Sequence, residues 1–434
     1  MKLRITAVAA LLAGAAFAAT SAAAQQTYGA QAAPQTSAGA GEQDAQAKPA
    51  DKPAQSANVL KTHVPKVSRE AGKAIQELQK AVNANNTAAI PAALQAAQAA
   101  AKTGDDRYVV ALLQLKAAAS AKDSGGIAAA LEAMLASGSV LEDEKYSVYI
   151  NLAQTYAAMK VNDRATQAYS QALQLNPNSV EATAGMAEAM VAQGKAGEAL
   201  QLLQKGIALQ SAGGAKPSET WYKRALQVAW KGKLPQAIQI SRDWVKAYPS
   251  TASWRDSLAI YQNLGQLDET RTLDLLRLKR ATNALVAADY FTYADLAVRK
   301  GFSGEAKAVL DEGFAANVIK RSDPSFSQLY ALASQRTKGD RESLAAAPQA
   351  SANARQTLII GDAYYGYGEY AKAAEFYRAA LGKPEADKDL INLRLGMALA
   401  RQGDKAGATA ALGAVGGANS ELAKYWLLYL STRA

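Results

Sequence analysis

The chain contains no cysteine and a single histidine, His63, in 434 residues. Without cysteine it forms no disulfide and has neither a thiolate zinc site nor a thiol nucleophile. Ser-His and Cys-His catalytic arrangements need more histidine or cysteine than the chain offers. His63 lies beside Pro65 at the edge of a polar segment, where a solvated side chain without a role is the plain interpretation. We therefore predict no catalytic, metal-binding or cofactor-binding residue, and we expect that the protein is not an enzyme.

Long apolar runs are also missing, apart from the beginning of the chain. Residues 1–24 combine Lys2 and Arg4, a short apolar stretch and small residues up to Ala24, which are the three parts of a secretory signal peptide. The alternative, a membrane anchor, needs about 20 predominantly apolar residues, and this run is shorter and rich in alanine. We expect cleavage after Ala24, no transmembrane segment afterwards and, without a cysteine for lipid attachment, a periplasmic or cell-envelope location.

Residues 25–60 have no apolar periodicity and are rich in Ala, Gln, Gly, Ser and Pro. A segment of this composition buries too little apolar surface to offset its chain entropy. The sequence therefore predicts a disordered linker between the signal and the folded part of the chain.

What the chain does contain is a ladder of small and large residues that recurs every 34 positions. With Tyr146 as place 1, the small residues Ala153 and Ala165 stand at places 8 and 20, and Pro177 stands at place 32. The stretch that starts at Ala354 repeats the ladder most completely. Further units start at Val180, Ser218, Thr251, Ala287 and Asp389. A fixed period of this length predicts stacked helix hairpins.

Simple packing explains the ladder. Because places 8 and 20 face each other where the two helices cross, only a small residue lets the backbones approach. Places 4, 7, 11 and 24 carry bulky side chains, each worth roughly 1.5–3 kcal/mol when buried. Glycine at place 15 ends the first helix, since a positive φ costs glycine little. One hairpin does not offset its own chain entropy, so about three or more units must stack.

This ladder resembles the tetratricopeptide repeat, whose pattern runs aromatic, Leu, Gly or Ala, Tyr, and then Ala, Phe or Tyr, Ala and Pro. The resemblance is strongest for residues 146–213 and 354–421, weaker for 218–320 and weakest before 140. It implies an all-α fold, a right-handed superhelical solenoid of antiparallel helix hairpins. The alternative is an Ala-rich helical bundle that happens to show the same ladder.

The same signals divide the chain into segments. Residues 61–140 are predicted to form degenerate helical repeats or an N-terminal cap, and residues 141–321 and 354–421 the regular repeats. Between them, residues 322–353 are predicted to form an irregular helical pair that breaks at Gly339. Residues 422–434 are predicted to form a capping helix. The folded part is either one continuous solenoid or two solenoids hinged near 322–353.

The strongest local anomaly is a basic zone rich in tryptophan. Residues 216–300 hold fourteen basic and eight acidic residues, together with Trp221, Trp230, Trp244 and Trp254. Basic runs such as 277–280 are also compatible with nucleic-acid binding. Export argues against that partner, and we interpret the run as a solvated helix face.

The resemblance also implies which residues face a partner, because places 2, 5, 9, 12 and 13 of each repeat line the concave groove of the family. Residues of this chain at those places are candidate apolar anchors or anion contacts. For Trp230, packing against the next unit is an equally good interpretation. The candidates for partner contact are Tyr222, Trp230, Arg255, Phe291, Arg299, Arg355 and Tyr365.

These features are consistent with two functions and give no support to a third. The first is a non-catalytic scaffold that binds a protein or peptide and supports assembly of a periplasmic or secretion complex. The second is a binder of an acidic envelope polysaccharide or peptidoglycan through the basic, Trp-rich groove. A hydrolase has no supporting residue set. Capture of a chaperone tail is unsupported as well, because Ile150 and Gln154 stand where the family uses Lys and Asn.

Overall fold

The computed structural model describes residues 64–346 and 353–433, and within these ranges the chain is helical with no β-strand. The predicted signal and linker lie outside the described residues. The chain divides into two compact units, with the boundary between Gly232 and Lys233. That boundary falls inside the predicted 141–321 repeat block. We describe each unit by itself.

The first unit contains nine helices among its described residues. They are α1 (Arg69–Asn83), α2 (Ile90–Ala100), α3 (Gly104–Ala121), α4 (Ser124–Ala136), α5 (Glu142–Ala158), α6 (Asn162–Leu175), α7 (Val180–Ala192), α8 (Ala196–Ala212) and α9 (Glu219–Lys231). Consecutive helices pack against each other in chain order. The prediction of stacked hairpins is confirmed for this unit.

The second unit continues the pattern with eleven helices in its described part. They are α10 (Gln236–Ala247), α11 (Thr251–Leu264), α12 (Glu269–Ala281), α13 (Ala287–Arg299), α14 (Ser303–Ala315), α15 (Pro324–Ala345), α16 (Ala354–Gly366), α17 (Tyr370–Leu381), α18 (Lys388–Gln402), α19 (Lys405–Gly413) and α20 (Ser420–Thr432), with a short 3-10 helix at Gly417–Asn419.

The small residues at places 8 and 20 lie where the helices of a hairpin cross. Ala153 on α5 and Ala165 on α6 are both fully buried. At Gly361 on α16 a Cβ atom would lie 2.7 Å from the ring of Tyr377, so the crossing with α17 leaves no room for a methyl group. The same burial holds at Ala187, Ala199, Ala294, Ala306, Ala373 and Ala408. Close backbone approach is therefore what the ladder encodes.

The hairpin of α11 and α12 departs from this rule. Leu258 and Thr270 occupy its two crossing places, and Leu258 is fully buried. Neither residue is small, and α12 packs less closely on α11 than the helices of the other hairpins of the second unit pack on each other.

The turns follow the glycine rule in some units and shift by one residue in others. Gly194 and Gly368, both at place 15, have φ values of +76° and +77°. In the unit that starts at Thr251, Gly265 at place 15 has a φ of −79°, and Gln266 has a φ of +47° instead. The turn is therefore displaced by one residue, and a non-glycine residue takes the left-handed conformation.

The prediction of an irregular helical pair that breaks at Gly339 is wrong. Residues Pro324–Ala345 form a single helix of 22 residues, α15, and Gly339 lies within it. Glycine in an exposed helix interior costs only about 1 kcal/mol relative to alanine, too little to end a helix that is supported on both sides. Asp323 caps the start of α15 by accepting a hydrogen bond from the backbone N–H of Ser325 at 2.9 Å.

The second unit folds back so that its last helix contacts its first helices. The hydroxyl of Tyr425 on α20 lies 2.9 Å from Ser241 Oγ on α10 and 3.0 Å from Ser257 Oγ on α11. In the same unit every residue of α12 from Leu273 to Lys279 is buried. Seven consecutive buried residues span about two helical turns, so no side of this stretch faces solvent.

Candidate partner-binding surfaces and a pocket in the second unit

In the first unit the two candidate contact residues lie on α9 in different environments. Tyr222 is buried, with 6% of its surface exposed, and belongs to the core. Trp230 is half-buried. The placement of Tyr222 corrects its assignment to a contact surface, and partner contact by Trp230 stays a prediction.

On α13 the structure leaves two candidates accessible. Phe291 is 41% exposed, and its ring meets that of Phe326 edge-on with the ring centroids 6.0 Å apart. Arg299 is exposed but already paired, since its Nε lies 2.9 Å from Asp295 and its Nη1 contacts Glu269. Phe291 is therefore the better anchor of the two, because binding there breaks no ion pair.

The remaining candidates lie on α11 and α16. Arg255 and Arg355 are both exposed, and Arg255 contacts its neighbour Asp256 at 3.5 Å. Tyr365 is instead a core residue with 4% exposure, and the guanidinium of Arg277 lies 4.8 Å from its ring centroid. The expectation that Tyr365 faces a groove is therefore wrong, because the helix face that carries it is covered within the same unit.

A buried cluster of charges, which we call the ion network, occupies the centre of the second unit. Arg277 donates two parallel hydrogen bonds to Glu305, both 2.8 Å long, and a third to Asp274 at 2.9 Å. Arg394 pairs with Asp274 at 3.3 Å and with Asp362 on its other side. All five side chains are at most 6% exposed. They join helices α12, α14, α16 and α18.

The ion network contains three carboxylates and two guanidinium groups. Burial alone raises the pKa of Glu305, but attraction to Arg277 and hydrogen bonds from Arg277 and Tyr293 outweigh it, and its pKa lies below the ordinary value. For Asp362 burial outweighs the attraction of Arg394 and Arg277, so the pKa of its carboxyl group is raised. The numbers of negative and positive groups in the ion network are therefore unequal, and hydrogen bonds to its carboxylates stabilise it.

Sequence interpretation missed this cluster. The run 277–280 was assigned to a solvated helix face, yet Arg277 and Lys279 are 1% and 3% exposed. The signal that was available is leucine on every side of α12, at 273, 275, 276 and 278, which is typical of a helix buried all round. The contact between Asp274 and Arg394 could not be predicted, because their separation in the sequence follows no helical or repeat period.

The basic zone is largely neutralised by ion pairs. Trp244 and Trp254 are buried, which removes two of its four indole rings from any surface. Most of its basic side chains lie within 4 Å of a carboxylate, namely Lys223, Arg224, Arg242, Arg255, Arg271, Arg277, Lys279, Arg280, Arg299 and Lys300. The excess of positive charge in the sequence therefore does not form an open basic surface.

The second unit also contains a pocket of about 250 Å³ at the start of α14. Its walls come from the residues that begin α14, from the last turns of α15 and from α16. Polar lining is provided by Ser303, Glu305, Asp340, Ser343 and Tyr367, and apolar lining by Phe302, Leu344, Ile359, Ile360 and Ala363. The spacing of these residues in the sequence gives no hint of the pocket.

Among residues 64–346 and 353–433, no group of three or more His, Cys, Asp and Glu side chains is arranged to hold a metal ion. None of the helices in those ranges combines the length and the apolar character needed to cross a bilayer.

Comparison with known proteins identifies the repeat. Residues 157–211 match the sequence profile of the tetratricopeptide repeat. These residues include all of α6 and α7 and most of α8, where the 34-residue ladder is continuous. No curated protein gives a match.

Three solved structures are similar to this chain at low identity. A tetratricopeptide repeat protein from Parabacteroides merdae ATCC 43184 has 12% identity and a TM-score of 0.27, covering 68% of this chain and 99% of its own. Naa15/Naa10 bound to HypK-THB has 15% identity and a TM-score of 0.28, covering 81% of this chain and 63% of that one. The apo form of RapI has 13% identity and a TM-score of 0.27, with coverages of 72% and 85%.

At these TM-scores the structural likenesses carry no argument about overall curvature or partners. The assignment depends on the profile match and on the hairpins that the structure builds at the same residues. The match shows that residues 157–211 are similar to the tetratricopeptide repeat, and the same ladder with buried crossing residues recurs in other hairpins of the chain.

Proposed function

We propose that the protein is a non-catalytic scaffold that binds a protein or peptide partner through an exposed aromatic site on α13. One observation carries the proposal. Phe291 is 41% exposed on the first helix of a repeat, and it is held against Phe326 rather than lying loose on the surface. An accessible aromatic side chain supported by a second ring is the usual centre of a binding hot spot.

A protein partner is favoured over an acidic polymer by the state of the charges. Acidic polysaccharides are held by unpaired basic side chains and by aromatic faces that stack on sugars. In this chain most basic groups of the 216–300 zone are engaged by carboxylates, and two of its four tryptophans are buried. We therefore keep the polysaccharide as an outcome of the experiment rather than as a second function.

We propose further that the protein acts in the bacterial cell envelope. The support is the signal-like beginning of the sequence, with Lys2 and Arg4 before a short apolar run, and the absence of cysteine from the whole chain. Cell fractionation tests this location. The full chain should appear in the periplasmic fraction with residues 1–24 removed, and a chain expressed without residues 1–24 should stay in the cytoplasm. Equal distribution of both chains would contradict export.

The binding proposal is tested by quantitative capture from a periplasmic extract on the immobilised protein. Phe291→Ala should reduce capture of the specific partner, because truncation of a hot-spot aromatic costs about 2 kcal/mol or more, about thirtyfold in affinity. Val318→Ala is the matched control, because Val318 is also 41% exposed and lies in the same unit.

Three results would count against the proposal. The first is equal capture by the parent chain and Phe291→Ala. The second is equal loss of capture in Phe291→Ala and Val318→Ala, which would indicate a general effect of surface truncation. The third is retention of an envelope polysaccharide that disappears at high salt, which would favour the polymer-binding function instead.

A further inference from the structure

The pocket at the start of α14 has a positive pole. Helix α14 begins at Ser303, its N-cap is Phe302, and no side chain caps its first turn. The first N–H groups of a helix have no acceptor within the helix, and the helix dipole adds a partial positive charge there. Glu305 does not fill this place, because both of its carboxylate oxygens accept hydrogen bonds from Arg277.

An unpartnered hydroxyl group points to a ligand at that pole. Ser303 lines the pocket and is 1% exposed, yet its Oγ has no hydrogen-bond partner among the described residues. Leaving a buried hydroxyl without a hydrogen-bond partner is unfavourable. A group that accepts hydrogen bonds from Ser303 and from the N–H groups of α14 would remove that cost.

The pocket has a negative pole on α15. Asp340 lines it, and its Oδ2 is buried without a hydrogen-bond partner in the described part of the chain. The neighbouring Arg341 does not neutralise it, because its guanidinium pairs with Glu369 at 2.8 Å and lies 4.6 Å from the ring centroid of Tyr367. A buried carboxylate oxygen without a partner favours a cationic donor.

Apolar side chains complete the wall between the two poles. Leu344 comes from α15, and Ile359 and Ile360 come from α16. The volume of about 250 Å³ is below the usual range for drug-sized ligands, so the occupant is small. It must offer an anion, a cation and an apolar group within a few bonds of one another.

We propose that this pocket binds a free α-amino acid with an apolar side chain. Its carboxylate accepts from Ser303 and from the first N–H groups of α14, and its ammonium group donates to Asp340. Its side chain packs on Leu344, Ile359 and Ile360. The site is independent of the proposed partner surface, since Asp340 is about 20 Å along α15 from Phe326.

Calorimetric titration of the purified full chain tests the proposal with ligands that each lack one pole. The probes are L-leucine, L-leucinamide without the carboxylate, and N-acetyl-L-leucine without the ammonium group. Alanine, valine, isoleucine, methionine and phenylalanine are titrated as well. L-leucine or another apolar amino acid should bind, and its amide and N-acetyl forms should bind at least about tenfold more weakly.

Substitutions at the two poles of the pocket should weaken binding in the same way as removal of the corresponding charged group from the ligand. Asp340→Asn should weaken amino-acid binding about tenfold or more, whereas Glu342→Gln, the same change at an exposed position of the same helix, should leave it unchanged. Ser303→Ala should also weaken binding without lowering the melting temperature of the free protein, because the hydroxyl it removes is unpaired. Circular dichroism verifies that each variant is folded.

The proposal is overturned if none of the six amino acids binds at about 10 mM, far above ordinary ligand concentrations. It is also overturned if the amide or the N-acetyl form binds as well as the amino acid, or if Asp340→Asn and Glu342→Gln bind alike. If Asp340→Asn does not fold, Ala363→Leu replaces it, because the larger side chain narrows the pocket from its α16 wall and should abolish binding.

Discussion

The guanidinium of Arg394 lies 3.3 Å from the carboxylate of Asp274, although 120 residues separate the two in the sequence. The contact joins α18 to α12, so a late hairpin of the second unit returns to an early one. Tyr425 repeats the relationship, since its hydroxyl bridges Ser241 and Ser257 from the last helix of the unit. Contacts between its late and early helices therefore hold the two ends of the second unit together.

This closure changes where a partner can bind. The family resemblance implied that Tyr365 lines an open groove, but in this unit Tyr365 lies against Arg277 of the ion network. The place of a groove ligand on that face is taken by the protein's own charged side chains. Partner contact in the second unit is consequently expected on accessible residues such as Phe291 and Arg355.

The ion network should be essential for stability, although ion pairs on the surface are not. Arg277→Met leaves the buried Glu305 and Asp274 without their main partner, which costs about 3–5 kcal/mol. Arg299→Met breaks exposed, solvent-screened pairs with Glu269 and Asp295 and should change stability little. Urea denaturation measures both changes. Similar losses in the two variants would contradict the role given to the buried cluster.

Acid should weaken the N-terminal helices through Asp106. This buried carboxylate accepts hydrogen bonds from the backbone N–H of Ser68 at 2.8 Å and of Thr103 at 3.0 Å, as well as from the Ser68 hydroxyl. Burial alone would raise its pKa, but these hydrogen bonds prevail and lower the pKa of Asp106 to about 2. The carboxylate therefore ties the start of α1 to the start of α3.

Because the folded pKa lies below the unfolded value of 3.8, Asp106 stabilises the fold above pH 4 and loses that effect as the pH falls towards 2. The difference corresponds to roughly 2 kcal/mol. Asp106→Asn should lose about that much at pH 7 and match the parent chain near pH 2. Asp163→Asn, at an exposed first-turn position of α6, should change stability by less than about 1 kcal/mol. A pH series of urea denaturation curves that leaves Asp106→Asn and its parent equally far apart at both ends would refute the linkage.

The helix hairpins could be predicted from the sequence because their contacts are local. Ala153 and Ala165 are twelve residues apart, and the pairing of one helix with the next is encoded in a period that can be counted. The helix hairpins and their small crossing residues could be predicted in this way. Gly339 could not be judged, because whether a helix tolerates a glycine depends on what packs on either side.

The candidate sites were predictable only where exposure follows from helix position. Phe291 and Arg355 are accessible, and their contact with a partner stays a prediction, whereas Tyr365 is covered by contacts with α12, which is remote in the sequence. The ion network and the pocket near Ser303 both depend on how distant hairpins meet. No periodic signal encodes such meetings, since each uses residues that would be unremarkable on a solvated helix.

Overpacking of a helix crossing should destabilise the first unit. Ala165 is fully buried opposite Ala153, so Ala165→Leu adds atoms where the backbones of α5 and α6 approach most closely. The expected cost is about 1–3 kcal/mol. Gln167→Leu places the same side chain at an exposed position of α6 and should cost little. Thermal denaturation followed by circular dichroism compares the two, and an unchanged melting temperature in Ala165→Leu would contradict the crossing assignment.

A substitution in the displaced turn after α11 should increase the stability of the protein. Gln266 has a φ of +47°, a left-handed conformation that costs a residue with a side chain roughly 1–2 kcal/mol. Glycine adopts it freely but loses about 0.5–1 kcal/mol more chain entropy on folding, so Gln266→Gly should stabilise the protein by up to about 1 kcal/mol.

The reverse change is available at Gly368, whose φ is +77° and whose added methyl group would meet nothing within 4 Å. Gly368→Ala should therefore destabilise by about 1 kcal/mol through its backbone alone. Opposite shifts of the urea midpoint are expected for the two variants, and a loss of stability in both would show that the turn at Gln266 is held by its side chain rather than strained by it.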